Sequence, residues 1–121
     1  NDPIPELPKV YQPKGNKLTA EEKEVMRRRY IAEDTETSPE ILSTLAKDNE
    51  FEVRCDVAAN PITPKEALDF LANDEGAFIR MMVAINPNTS KETVFRLSKD
   101  KDENVRMYAL ENKSYKHKKE G

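Results

Sequence analysis

Leu45-Ala46-Lys47-Asp48, then Val53-Arg54-Cys55-Asp56-Val57-Ala58-Ala59-Asn60-Pro61, then Thr63-Pro64 is the stretch that decides the fold, because the chain repeats it 26 residues later. The second copy keeps Leu71-Ala72-Asn73-Asp74, Ile79-Arg80, Val83-Ala84 and Asn86-Pro87. A third, more divergent copy keeps Leu97-Ser98-Lys99-Asp100, Val105-Arg106, Ala109-Leu110 and Asn112. Aligned on Thr37, Thr63 and Thr89, the glutamates Glu40, Glu66 and Glu92 also coincide. A fixed period of this size is the mark of a stack of small units, each burying its apolar face against its neighbours. The reading is all-α: a short α-solenoid of three two-helix repeats over residues 37–112.

Within a repeat, the spacing predicts two short helices. The first opens on Thr37-Ser38-Pro39-Glu40, Thr63-Pro64-Lys65-Glu66 or Thr89-Ser90-Lys91-Glu92. Each is a Ser/Thr-x-x-Glu box, with Pro64 expected at the first helical position, where its missing N–H costs nothing. Apolar residues follow at helical spacing: Ile41, Leu42 and Leu45; Ala67, Leu68 and Leu71; Val94 and Leu97. Asp48, Asp74 and Asp100 close this helix. The second helix is expected over residues 51–59, 76–85 and 103–111, with core positions at Val53, Val57 and Ala58, at Ile79, Val83 and Ala84, and at Val105, Ala109 and Leu110. Asn60-Pro61 and Asn86-Pro87 end it, since a residue before proline avoids helical geometry.

Outward from the repeats, Thr19-Ala20-Glu21-Glu22 is a capping box opening a helix that runs to Glu33. Its later half fits the repeat frame: Arg28 falls on Arg54, Ile31 on Val57, Ala32 on Ala58 and Asp34 on Asn60. Residues 18–36 are therefore an N-terminal capping helix, the atypical unit an open stack needs at its end. Residues 1–17 hold Pro3, Pro5, Pro8 and Pro13, a density that forbids helix and favours an extended, flexible leader with partial docking. Residues 113–121 form a basic tail, expected to be disordered.

Composition limits the function classes. Apolar and charged residues each make up 36%, a polar balance that a thin stack tolerates better than a compact globule does. The tail carries four lysines and one glutamate, which leaves 16 basic against 22 acidic residues in the rest. An acidic body repels phosphate, so nucleic-acid binding by the repeats is disfavoured. The single cysteine, Cys55, excludes an internal disulfide and a cysteine metal cluster, and it fits a reducing, cytoplasmic setting. No apolar run approaches a membrane span.

The recurring Leu-Ala-x-Asp, Val-Arg-x-x-Val-Ala-x-Asn-Pro and Thr-Pro elements resemble the leucine-rich-repeat variant family, whose wider kin are HEAT-like helical repeats. The resemblance covers residues 37–112 and implies a right-handed superhelix of paired helices, with one helix of each pair short or of 3₁₀ type. It also implies a scaffold or interaction role without specifying an activity. The repeat here looks long enough to make both helices α. The cysteine-rich segment of some relatives has no counterpart.

Two kinds of position stand out. Arg54, Arg80 and Arg106 keep phase with Asp48, Asp74 and Asp100, which favours a structural ladder of guanidinium–carboxylate bridges over an anion-binding row. Asn60, Asn86 and Asn112 read as turn residues that satisfy backbone groups at the bend. Where the pattern breaks, Met82, Ile85 and Tyr108 exceed what a core requires and should share a face. Phe70 is the odd residue in the set Thr44, Phe70 and Arg96. These four are the candidate partner-binding residues, Met and aromatic side chains being suited to adaptable contacts. Met81 and Met107 are expected to fill gaps between repeats.

No nucleophile–base pair is legible: Cys55 has no base beside it, and the lone His117 lies in the tail. The expectation is a non-enzymatic protein-interaction or scaffold module, with no cofactor, no metal and an unidentified protein partner, itself a monomer or weak end-to-end dimer. The alternative is a nucleic-acid accessory protein that engages phosphate through its basic tail.

Overall fold

The computed structural model describes residues 17–115, and the described chain is all-helical. Seven α-helices are delineated there: α1 (Ala20–Glu33), α2 (Pro39–Leu45), α3 (Phe51–Ala59), α4 (Lys65–Leu71), α5 (Ala77–Ile85), α6 (Lys91–Leu97) and α7 (Glu103–Glu111). The longer helices α1, α3, α5 and α7 pack side by side in chain order, and α2, α4 and α6 lie against them. No strand occurs among the described residues.

Apolar periodicity places the core. Leu42, Val53, Val57, Leu68, Leu71, Ile79, Val83, Val94 and Val105 are all fully buried. Alanines Ala32, Ala58 and Ala84 are buried where neighbouring long helices meet, and their small side chains allow that approach. α3, α5 and α7 are all α-helical, so neither helix of a sequence repeat is 3₁₀.

Four expectations are corrected. The first concerns the short helices, which begin one residue later than the threonine boxes suggest. Ser38 and Ser90 cap α2 and α6 by accepting from the N–H of Ile41 and of Thr93, while Pro64 is itself the cap residue of α4. The threonines instead donate backwards, Thr37 to the Ile31 carbonyl at 2.6 Å, Thr63 to Val57 at 2.7 Å and Thr89 to Val83 at 2.6 Å. They thus give carbonyls in the last turn of the preceding helix a second donor, beside the N–H of the cap residues Asp34, Asn60 and Asn86. Thr19 alone follows the box reading, with Glu22 returning to its backbone N–H at 2.9 Å.

The second correction is Gly76, which caps α5 rather than opening it. A Cβ there would come within 3.1 Å of the Phe51 ring. Third, Leu110 is 44% exposed, although Ala58 and Ala84 in its register are fully buried. In those two cases a following long helix covers the position, and none follows α7 among the described residues. Met107, at 48% exposure, likewise fills no gap, whereas Met81 packs partly against the core. Fourth, residues 113–115 are helical rather than the start of a disordered tail. Tyr115 packs against the core and stacks on Phe95 with ring centroids 6.4 Å apart. The leader up to Asn16, and the tail from Lys116 with His117, lie outside the described residues.

Candidate functional site

The polar ladders bind one part of the chain to the next. Arg28 donates from Nε to Asp48 at 2.8 Å, Arg54 to Asp74 at 2.8 Å and Arg80 to Asp100 at 2.9 Å, in each case 20 residues ahead. With Nη1, Arg54, Arg80 and Arg106 also reach back six residues to the carbonyls of Asp48, Asp74 and Asp100, at 2.8–2.9 Å. Oδ1 of each aspartate also accepts the backbone N–H two residues on, at Glu50, Gly76 and Asp102, and in Asp48 and Asp100 it takes the arginine's Nη2 as well. One Asp thus shapes the turn before a long helix and anchors the arginine of the helix before.

Burial tightens along this ladder. The Arg80 and Asp100 side chains are only 8% and 9% exposed. Hydrogen bonding to Asp100 raises the Arg80 guanidinium above its ordinary value, against the opposing effect of burial. Burial pushes the Asp100 carboxyl up, but the bonds from Arg80 and the Asp102 N–H outweigh it, and the group stays below the usual carboxylate range. Arg54 and Arg80 are therefore committed to internal bonds.

The asparagines are committed as fully. Asn60 donates from Nδ2 to the carbonyls of Ala32 and Asp34, Asn86 to those of Ala58 and Asn60, and Asn112 to those of Ala84 and Asn86. Each Oδ1 accepts the backbone N–H two residues on. They are turn residues, as read from sequence, but their amide groups also stitch each long helix to the one before.

The pattern-breaking residues occupy a different surface. On α3, α5 and α7 the buried positions Val53/Val57, Ile79/Val83 and Val105/Ala109 define an inward stripe. Residues one or two positions away lie on the opposite side of each helix and point to solvent. Phe78 and Ile85 are 48% and 45% exposed, Tyr108 is exposed and Met82 half-buried. Met82 and Ile85 lie one turn apart on α5, and Tyr108 holds the Met82 register on the adjacent α7. Phe51 of α3 extends this face, its ring 6.4 Å from that of Phe78. The sequence reading passed over Phe51 and Phe78. The available signal was that Phe78 stands where the register gives Glu52 and Asn104 in the other copies.

Phe70 belongs elsewhere. It sits on α4, in the layer of short helices, with the Lys47 ammonium 5.4 Å from its ring centroid. It borders an open cleft of about 480 Å³ with Lys47, Asp48 and Arg54. The Arg96 of its register bonds Asp69 at 2.6 Å. Phe70 therefore does not share the surface of Met82, Ile85 and Tyr108.

Carboxylates flank the apolar face. Glu33 and Glu52 are exposed on the α1–α3 side, and Glu103 and Glu111 on α7. Asp56, in the Met82 register, accepts from Arg29 Nε at 2.8 Å. Half-buried Cys55 lies beside it. Burial, then the charges of Asp56 and Glu52, push its thiol up to about 11, so at neutral pH it is a protonated thiol and not an activated nucleophile.

Among the described residues no group of three or more His, Cys, Asp and Glu side chains is arranged to hold a metal ion. None of the described helices is long and apolar enough to cross a membrane. Comparison of the chain with protein-family models, with curated proteins and with solved structures returns no match.

Proposed function

We propose that the chain is a short α-solenoid of the leucine-rich-repeat variant type that works as a non-enzymatic protein-interaction module. Its docking surface is the solvent face of α5 and α7. The observation that carries this reading is the contrast between the two sets of residues. The periodic Asp, Arg and Asn side chains are spent on internal hydrogen bonds, whereas Phe78, Ile85 and Tyr108 stay exposed side by side. Large apolar side chains gathered on one face favour contact with another surface. A cytoplasmic setting suits the single free thiol.

The phosphate-binding alternative is weakened because Arg28, Arg54 and Arg80 already hold carboxylates. It then rests on the tail lysines and on Arg106, whose guanidinium reaches only the Asp100 carbonyl among the described residues.

The test is affinity capture from the native host's lysate with wild type and Met82→Glu/Tyr108→Glu, both first matched in helical circular dichroism. A protein retained by wild type and lost by the variant supports the proposal. Identical captures refute it. Capture of nucleic acid that falls steeply between low and moderate salt would favour the tail instead.

A further inference from the structure

We infer, resting on the interaction face just proposed, that its partner is a basic amphipathic helix: apolar anchors over α5 and α7, and lysine or arginine over α1 and α3. The argument starts from how unevenly the face is divided. Phe78, Met82 and Ile85 make the α5 stripe wholly apolar. The matching registers on α3 hold Glu52, Asp56 and Ala59, so one helix away the same surface becomes acidic.

The acidic side also has depth. Between the N-terminal part of α1 and the start of α3 lies an open cleft of about 490 Å³, with Leu18, Val25 and Met26 among its apolar walls and Glu21, Glu50 and Glu52 among its carboxylates. Arg29 is the cation on that wall, and it already donates to Asp56. An apolar wall crowned by carboxylates suits the long side chains of lysine and arginine, whose stems bury against hydrocarbon while the head stays in polar surroundings.

Charge complementarity therefore selects the occupant. An acidic partner would place like charges against Glu33, Glu52 and Glu111 and would be repelled. A neutral apolar partner would leave the α1–α3 carboxylates without an opposite charge.

Dimensions favour a helix as the partner's shape. Packed helices lie about 8–10 Å apart, so α1 to α5 spans roughly 20 Å. A helix rising 1.5 Å per residue covers that in about 13 residues. The partner segment then carries apolar anchors at i, i+3 or i+4 at one end, with basic residues about three to four turns away on the same side. Met82 and Met81 suit the α5 end, since thioethers adapt to varied apolar shapes.

The test is selection from a displayed library of random 20-residue peptides on the full chain, followed by anisotropy titration of the selected peptides. Selected sequences should be net positive with helical apolar spacing. Their affinity should fall at least tenfold for Glu50→Lys/Glu52→Lys and for the milder Glu33→Gln/Glu52→Gln, each checked for unchanged helicity and melting. Ile85→Glu should abolish binding. Selection of neutral or acidic sequences, or of none, overturns the partner chemistry. If binding of such sequences is still lost with Ile85→Glu, the interaction face itself survives. Sedimentation is the second measurement: a concentration-dependent dimer abolished by Ile85→Glu would seat a second copy on the face and overturn the inference.

Discussion

Arg80 donates to both carboxylate oxygens of Asp100, from Nε at 2.9 Å and from Nη2 at 3.2 Å, across 20 residues of chain. The same guanidinium donates backwards to the carbonyl of Asp74 at 2.8 Å, so one side chain joins the turn before its own helix to the turn before the next. Both partners are buried, which makes this pair costly to break from one side only.

Arg80→Met should lower stability by about 3–5 kcal/mol, because it leaves a buried carboxylate unpaired. Arg96→Met, which breaks the exposed pair with Asp69, should cost less than about 1 kcal/mol. Urea unfolding of both variants checks the contrast; equal losses would contradict it.

Stability should fall on acidification partly through Asp100. Its folded-state carboxyl titrates below the ordinary range, so the unfolded chain binds a proton first as pH drops. The stabilisation is complete above the unfolded value of about 4 and is lost as pH falls towards the lower folded one. Melting curves between pH 7 and pH 2 should show a shallower acid limb for Asp100→Asn, from a lower starting midpoint.

Asn86→Asp should be worse than Asn86→Ala. Alanine forfeits the bonds to the carbonyls of Ala58 and Asn60, at 2.8 and 2.9 Å. The Asn60 oxygen keeps the Thr63 N–H, but the Ala58 oxygen is left without a donor, which costs about 1–3 kcal/mol. Aspartate also points negative oxygens at the same carbonyls in a buried place. Thermal melts at neutral pH should rank wild type, then alanine, then aspartate.

Cys55 should react slowly with iodoacetamide at pH 8. A thiol held near 11 carries far less thiolate than one near 9, while its higher basicity recovers part of the rate. The net expectation is about tenfold slower alkylation in the folded than in the denatured chain, from a Brønsted slope near 0.5. Equal rates would mean that Asp56 and the surrounding burial leave the thiol unperturbed.

Local chemistry made the helices readable from the sequence. Thr19 with Glu22, the prolines after Asn60 and Asn86, and the Leu and Val spacing act within a turn or two of chain, so the helix starts and the ends of the long helices fell within a residue of expectation. The short helices instead end at Leu45, Leu71 and Leu97, three residues before the aspartates expected to close them. The core stripe was legible for the same reason. The candidate face was partly legible: Met82, Ile85 and Tyr108 broke a pattern visible in the sequence, and they lie on adjacent helices. Phe70 broke it too but faces away, because it sits on a short helix.

By itself, then, the sequence determined the period, the helices, the core-facing residues and the pairing of arginine with aspartate as residue types. Which aspartate, only the tertiary structure decided. Asp74 and Asp100 have the same phase relative to Arg80, one six residues back and one 20 ahead, and periodicity treats them alike. Packing of one long helix against the next brings the forward carboxylate into reach and turns the backward one so that its carbonyl is offered instead. The same packing sent Asn86 to the preceding helix and left Leu110 uncovered. Each outcome depends on which surfaces meet, a relation between distant segments that no local pattern of residues encodes.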